Sequence, residues 1–327
     1  MMGSMSDPAA TPIHPELRTM AKFLPRGLSQ RSLRVVRQLE GLQLRAQPLL
    51  RRLVPAGRRR DVQVVQQNDW SVRVHHPVGA SREPLPAVLW IHGGGYVIGS
   101  AAQEDALCRR FANELGAVVA AVDYRRAPEH PFPAPLEDCH DALVWLAGLD
   151  QVDPGRVAIG GASAGGGLAA ALALMARERQ QVSPVLQLLS YPMLDDRTVL
   201  RHDIDESGFR LWNNRSNDLG WSSYLAAPAG SDGVGAQAAP ARCDDLAGLP
   251  PAWIGVGTLD LFLDEDLTYA ERLTAAGVPV ELDVVDGAFH AFDYLAPRSS
   301  ISREFRASQL RSLAAAFDRT AFDRRTD

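Results

Sequence analysis

The stretch Val157–Gly167, "VAIGGASAGGG", decides how the chain folds. Its first three residues fit a buried strand, and Leu168–Arg179 downstream is apolar with helical period. Between them, Gly161-Ala162-Ser163-Ala164-Gly165 fits the pattern G-x-S-x-G. There a sharp strand-to-helix turn holds serine in strained backbone geometry, and small neighbours keep the turn free of clashes. The start of the following helix offers free N–H groups that favour negative charge beside Ser163. A phosphate-binding loop is the competing reading. It fails because no Gly-Lys-Ser/Thr ending is present and the glycine spacing departs from the dinucleotide pattern.

Similar apolar runs recur outward from this turn, at Val88–Ile91, Val118–Val122, Val185–Leu189, Trp253–Val256 and Leu282–Val285. Continuous apolar strands of this kind predict burial on both faces. "DVQVVQ" and "SVRVHHP" alternate apolar and polar residues around "QNDW", which predicts an antiparallel hairpin entering the sheet. Helical patterns fall between the strands at Ala106–Leu115, Leu136–Leu146, Leu168–Arg179 and Asp266–Ala276, with Arg303–Phe317 last. This alternation predicts an α/β fold, a mainly parallel eight-stranded sheet with helices on both faces. Asp195–Gly248 breaks the rhythm with Trp212, Trp221, Tyr224 and the small-residue stretch "AAPAGSDGVGAQAAP". The expected division is a cap from residues 1–55 and 195–248 over a core formed by 56–194 and 249–327.

In such sheets chemistry gathers at the carboxyl ends of the strands. A serine of ordinary acidity needs a base within reach, and the base needs a carboxylate to orient it. Asp260 lies just past the strand Trp253–Val256, and His290 follows the strand Leu282–Val285, which makes Ser163, Asp260 and His290 the expected catalytic set. Asp264, Glu265 and Asp266 open a helix, where acids complement the dipole, so Asp260 is preferred to them. Among the other histidines, His75 and His76 end the hairpin, His130 lies between prolines and His140 is within a helix. "VLWIHGGGYVIGS", Val88–Ser100, then acquires a role. The N–H groups of Gly93 and Gly94, with that of Ala164, are the expected donors to an oxyanion, each able to lower the barrier by about 2.7–4 kcal/mol. Gly95 serves the turn, and His92 braces the loop by hydrogen bonding.

Composition narrows the partners. With 34 Lys and Arg against 39 Asp and Glu the net charge is −5, so no overall basic field exists to hold nucleic acid. The balance is uneven, since residues 17–60 carry eleven arginines and Lys22 against the single acid Glu40. Leucines at helical spacing, bracketed by Pro25, Pro48 and Pro55, suit a basic cap element docked on an acidic body better than a membrane-binding segment. Cys108, Cys139 and Cys243 lack metal-ligand or disulfide spacing and fit buried free thiols. No leader and no apolar run near 18 residues is read, so a cytoplasmic location without membrane insertion is expected.

The segments "HGGGYVIGS", "VDYRRAPEHPFPAPLEDCHDALVWL", "GASAGGG", "DLFLDEDLTYAERL" and "GAFHAFD" together resemble the bacterial hormone-sensitive-lipase-like esterases, family IV, of the α/β-hydrolase fold. The likeness runs over residues 60–315 in the family's order. It implies carboxylic-ester hydrolysis, a helical cap, no cofactor, and the same triad and oxyanion residues at Ser163, Asp260, His290, Gly93, Gly94 and Ala164. Three departures stand out: Ala162 where the family's elbow is usually Asp or Thr, Leu261-Phe262 where Pro-Leu is usual, and Arg126 where leucine is frequent. They bear on rate and pocket shape and remove no catalytic group. The proline-rich "DYRRAPEHPFPAPLED" is read as a shaped loop into a helix.

The expected substrates are small-molecule esters with short to medium acyl chains or aryl groups. Amides, carbamates or lactones would use the same residues. A non-catalytic binding protein would be marked by a missing histidine, and His290 is present. Tyr96, Trp212, Leu261 and Phe289 are the expected pocket residues, each of which also suits plain core or cap packing. The last strand, Leu282–Val285, is read as a sheet edge able to pair with its copy in a homodimer.

Overall fold

The computed structural model describes residues 12–29, 31–33, 35–39, 62–79 and 83–323. The expected cap segment 1–55 therefore lies partly outside the described residues. Eight strands form one sheet in the order β1-β2-β4-β3-β5-β6-β7-β8. They are β1 (Gln63–Gln66), β2 (Ser71–His75), β3 (Leu85–Ile91), β4 (Val118–Asp123), β5 (Val152–Ala162), β6 (Gln187–Ser190), β7 (Ala252–Leu259) and β8 (Val280–Phe289). Pairing β1–β2 is antiparallel, as the hairpin reading expected, β2–β4 is antiparallel as well, and every other pairing is parallel.

Alternation along the strands divides the core in two. On β3, Ala87, Leu89 and Ile91 face one apolar cluster while Val88 and Trp90 face the other. Helices α2 (Ala134–Ala147), α3 (Ala164–Arg179) and α5 (Leu263–Ala275) cover the first face. Helices α1 (Asp105–Leu115) and α6 (Ser300–Asp323) cover the second; α4 (Asn214–Leu225), within the segment that broke the strand rhythm, adds Trp221 and Tyr224 to the first cluster. All three cysteines are buried free thiols. Among the described residues no helix is long and apolar enough to cross a membrane.

One expectation fails at β8. Its apolar run predicted burial on both faces, yet Leu282 is 43% and Val284 42% exposed. The reason is position: β8 stands at the end of the sheet, with β7 on one side and, among the described residues, no strand on the other.

The described N-terminal residues bond to the segment that precedes and opens α4. Leu211 N–H donates to Pro25 O at 2.7 Å, Leu28 N–H donates to Ser216 Oγ at 2.7 Å, and Arg210 Nε donates to Ala21 O at 2.8 Å. Below them, Glu265 on α5 ties down the chain after β6. Its carboxyl accepts from Leu194 N–H at 2.7 Å, from Asp195 N–H at 3.2 Å and from the Thr198 hydroxyl. Neither carboxyl oxygen of the neighbouring, fully buried Asp266 has a hydrogen-bond partner among the described residues.

Burial pushes the Glu265 carboxyl up from its ordinary 4.5 to about 8, and burial raises Asp266 as well. A group whose folded value exceeds its unfolded one stabilises fully below the unfolded value and loses that contribution as pH rises toward the folded one. The window for Glu265 thus runs from 4.5 to about 8. The melting temperature of the protein is expected to fall between about pH 6 and pH 8. Glu265→Gln, neutral throughout, should flatten that fall in thermal scans, and a wild-type melting temperature that rises across the interval contradicts the assignment.

Candidate active site

Three strand ends deliver the site. At the end of β5 the chain turns sharply into α3, and Ser163 at the turn has φ 57° and ψ −122°, a conformation that non-glycine residues seldom adopt. Hydrogen bonds hold it there. Ser163 N–H donates to Ser190 O at 2.9 Å, while Ser163 O accepts from Gly167 N–H and Met193 N–H, each at 3.0 Å. The turn also needs closeness that only glycine permits: a Cβ on Gly165 would lie 2.1 Å from Ile91 O at the end of β3.

Asp260 directly follows β7 and His290 directly follows β8. His290 Nδ1 donates to Asp260 Oδ2 at 2.8 Å, and its Nε2 stands 3.0 Å from Ser163 Oγ. Because a carboxylate only accepts, the proton sits on Nδ1 and Nε2 is left as acceptor for the serine hydroxyl. Asp260 Oδ1 accepts from Phe262 N–H at 3.1 Å, which fixes the carboxylate plane. Tyr191, Phe262 and Trp212 surround the imidazole with ring centroids at 4.9, 5.4 and 6.4 Å. All three polar residues are buried, Ser163 being 6% exposed. A hydroxyl so placed can pass its proton to an imidazole whose cation the carboxylate stabilises.

The loop after β3 lies against this turn. A Cβ on Gly93 would lie 3.3 Å from Ser163 Cβ and 2.8 Å from Ala162 O, so the two backbones run side by side. Gly94 has φ +122° and accepts at its carbonyl from Val97 and Ile98 N–H. Gly95 has φ +57°, consistent with a turn position, and a Cβ there would strike the Trp212 ring at 2.1 Å. Ala164 is the first residue of α3, where an N–H has no carbonyl to bond within the helix. Gly93, Gly94 and Ala164 are thus gathered around Ser163.

His92 is fully buried and takes no part in the Ser163 hydrogen bonds. Its Nδ1 donates to Gly93 O at 2.8 Å, its ring stacks on Tyr124 at 4.3 Å, and Tyr124 OH donates to His92 O at 3.1 Å. Arg126, at one of the positions that depart from the family pattern, donates through Nη1 to Gly99 O at 2.7 Å and closes the far end of the same loop. His75 pairs with Asp105 at 3.3 Å, and His140 lies 3.1 Å from Arg179, both away from Ser163.

A cavity of about 650 Å³ opens over Ser163 and His290. Of the four residues expected in its wall, Trp212 is present, while Tyr96, Leu261 and Phe289 are buried in the core and do not line it. Tyr96 stacks on Tyr224 at 4.0 Å and donates from its hydroxyl to Met193 O at 3.2 Å. Sequence reading missed other wall residues, including Glu104, Tyr191, Asp293, Arg306 and Gln309. The only signal for them was the i, i+3 spacing of Arg306 and Gln309 on one helix face, which equally suits a solvated surface.

Because interiors do not relax freely, Gly165→Ala should destabilise the fold by about 1–3 kcal/mol. Gly235→Ala, where a Cβ meets nothing within 4 Å, should be near neutral. Urea denaturation of the two variants checks this, and equal midpoints would contradict the close approach of α3 to β3.

Comparison with known proteins agrees with this geometry. A family model described as alpha/beta hydrolase fold matches residues 88–294. Esterase LipI of Mycobacterium tuberculosis is 37% identical over 220 residues, which cover 66% of this chain and 68% of that protein. Carboxylesterase NlhH of the same organism is 38% identical over 239 residues, covering 68% and 71%. Among solved structures, a bacterial heroin esterase superposes with a TM-score of 0.82 at 33% identity, over 93% of this chain and 98% of that one. The order of strands, the turn at Ser163 and these likenesses agree, and the chain belongs to the hormone-sensitive-lipase-like esterase family of the α/β-hydrolase fold.

Proposed function

We propose that the protein is a carboxylesterase acting on short to medium acyl or aryl esters, with Ser163 as nucleophile. The observation that carries this reading is the continuous hydrogen-bonded path from Ser163 Oγ through His290 to Asp260, at 3.0 and 2.8 Å. His290 Nε2 takes the hydroxyl proton as Ser163 Oγ attacks the ester carbonyl carbon, and Asp260 stabilises the imidazolium. The carbonyl oxygen, now an oxyanion, receives hydrogen bonds from the N–H groups of Gly93, Gly94 and Ala164. His290 then returns the proton to the departing alkoxide, releasing the alcohol and leaving the acyl-enzyme. Water, deprotonated by His290, attacks the acyl carbon and releases the carboxylic acid and free Ser163.

Residues 1–55 and 195–248 act in this reading as a cap over the cavity, supported by the bonds from Ala21, Pro25 and Leu28 to residues 210–216. We place the working compartment in the cytoplasm, a reading that the unpaired cysteine thiols support.

The test is hydrolysis of p-nitrophenyl esters of graded chain length. Acetate and butyrate should turn over fastest, and Ser163→Ala should lower kcat by about 10⁴-fold or more. Equal rates for the two proteins would remove Ser163 from its role. A rate that peaks beyond about ten carbons would overturn the short-chain assignment.

We also propose that two copies pair through β8. Its open edge and the exposed Leu282 and Val284 support this, since an unpaired apolar edge is a template for another strand. Light scattering should give the mass of a dimer, and Val284→Lys should yield monomer. A wild-type monomer at micromolar concentration sinks the pairing.

A further inference from the structure

The cavity that holds Ser163 also has polar residues in its wall. They include Glu104, which precedes α1, Asp293, three residues past His290, and Arg306 and Gln309 on α6. Glu104 is 6% exposed, and both its oxygens are engaged as acceptors, Oε2 from Trp90 Nε1 and Oε1 from Gln103 Nε2, each at 3.1 Å. That arrangement suits a carboxylate. No Lys, Arg or His side chain forms an ion pair with it among the described residues, and the charges that act on it, Asp293 and Asp105, are both negative.

The arginines of the same wall form no ion pair with Glu104 among the described residues. Arg110 is exposed and pairs with Glu114 at 2.9 Å. Arg306 donates to Asp293 O at 3.3 Å and to Pro297 O, and its charge faces the Asp293 carboxyl, while its Nε has no partner among the described residues. Asp105 is taken by Arg73 in a two-pronged bond. Glu104 is therefore the carboxyl of this wall left without a counter-charge, and burial pushes it up to about 7. Gln309, 1% exposed, adds a second acceptor in want of a donor. Its Nε2 donates to Ser190 Oγ at 2.9 Å, while its Oε1 has no partner. Buried carboxylates are retained in folded proteins when something compensates their charge. In a substrate cavity that compensation can arrive with the ligand.

We infer that Glu104 and Gln309 form a cation-accepting part of the substrate cavity wall, so that the protein prefers esters carrying a protonated amine to their neutral isosteres. The inference rests on the esterase reading above and names its substrate class. An ammonium N–H supplies the donor that Gln309 Oε1 lacks and the positive charge that Glu104 lacks.

The experiment compares kcat/KM for ω-(dimethylamino)alkyl acetates of graded length with the matching methyl-branched alkyl acetates, in which CH replaces the ammonium NH⁺. A second set carries the amine on the acyl side, as ethyl ω-(dimethylamino)alkanoates against their branched counterparts. In one set, at one length, the amine ester should be favoured by about tenfold or more, the size of a single charge-assisted hydrogen bond. Glu104→Gln, which retains shape and removes charge, should bring that ratio to about one. A wild-type ratio of one or below in both sets overturns the inference whether or not the variant folds. A ratio unchanged in a folded Glu104→Gln, judged by its melting temperature, overturns the assignment to Glu104. If the neutral esters themselves are not hydrolysed, the esterase reading falls, and this inference with it.

Discussion

Backbone meeting backbone, with no side chain between, is the constraint on which the site depends. A Cβ on Gly165 would sit 2.1 Å from Ile91 O, and one on Gly161 would sit 2.4 Å from Gly165 O. The start of α3 can therefore press against the end of β3, which brings Gly93 into contact with Ser163. Main-chain groups in such contact have no rotamers to choose among. Donors fixed in this way are organised before any ligand arrives, and preorganised donors stabilise developing charge without paying for reorientation.

The imidazole is held by a different logic, through side chains packed on several sides. Tyr191, Phe262 and Trp212 leave His290 little freedom, and Asp260 is itself steadied by the N–H of Phe262. Tyr191 then extends the arrangement outward by donating to Asp293 Oδ1 at 2.7 Å. One aromatic residue thus touches both the His290 ring and Asp293 in the cavity wall.

That Ser163, Asp260, His290 and the glycine loop come together was legible because each follows a strand, and turn chemistry at strand ends restricts the residue types. Pocket residues were not legible in the same way. Phe289 was expected in the wall, yet as the last residue of β8 it is fully buried in the core. Tyr96 and Leu261 likewise sit beside site residues in the chain while their side chains fill the interior. Conversely, Glu104, Arg306 and Gln309 come from segments far apart in sequence, and only packing of α1 and α6 on one sheet face brings them to Ser163. For β8 the edge position was legible, but the exposure of Leu282 and Val284 was not, since an apolar run reports composition and says nothing of what covers each face.

The bonds from Ala21, Pro25 and Leu28 to Arg210, Leu211 and Ser216 join residues nearly two hundred positions apart. During synthesis the first of these partners emerges long before the second, and strands β1 to β6 are all made in the interval. Closing so long a span carries a chain-entropy cost that local contacts do not repay. The junction between these two segments is thereby completed only after six of the eight strands have been synthesised.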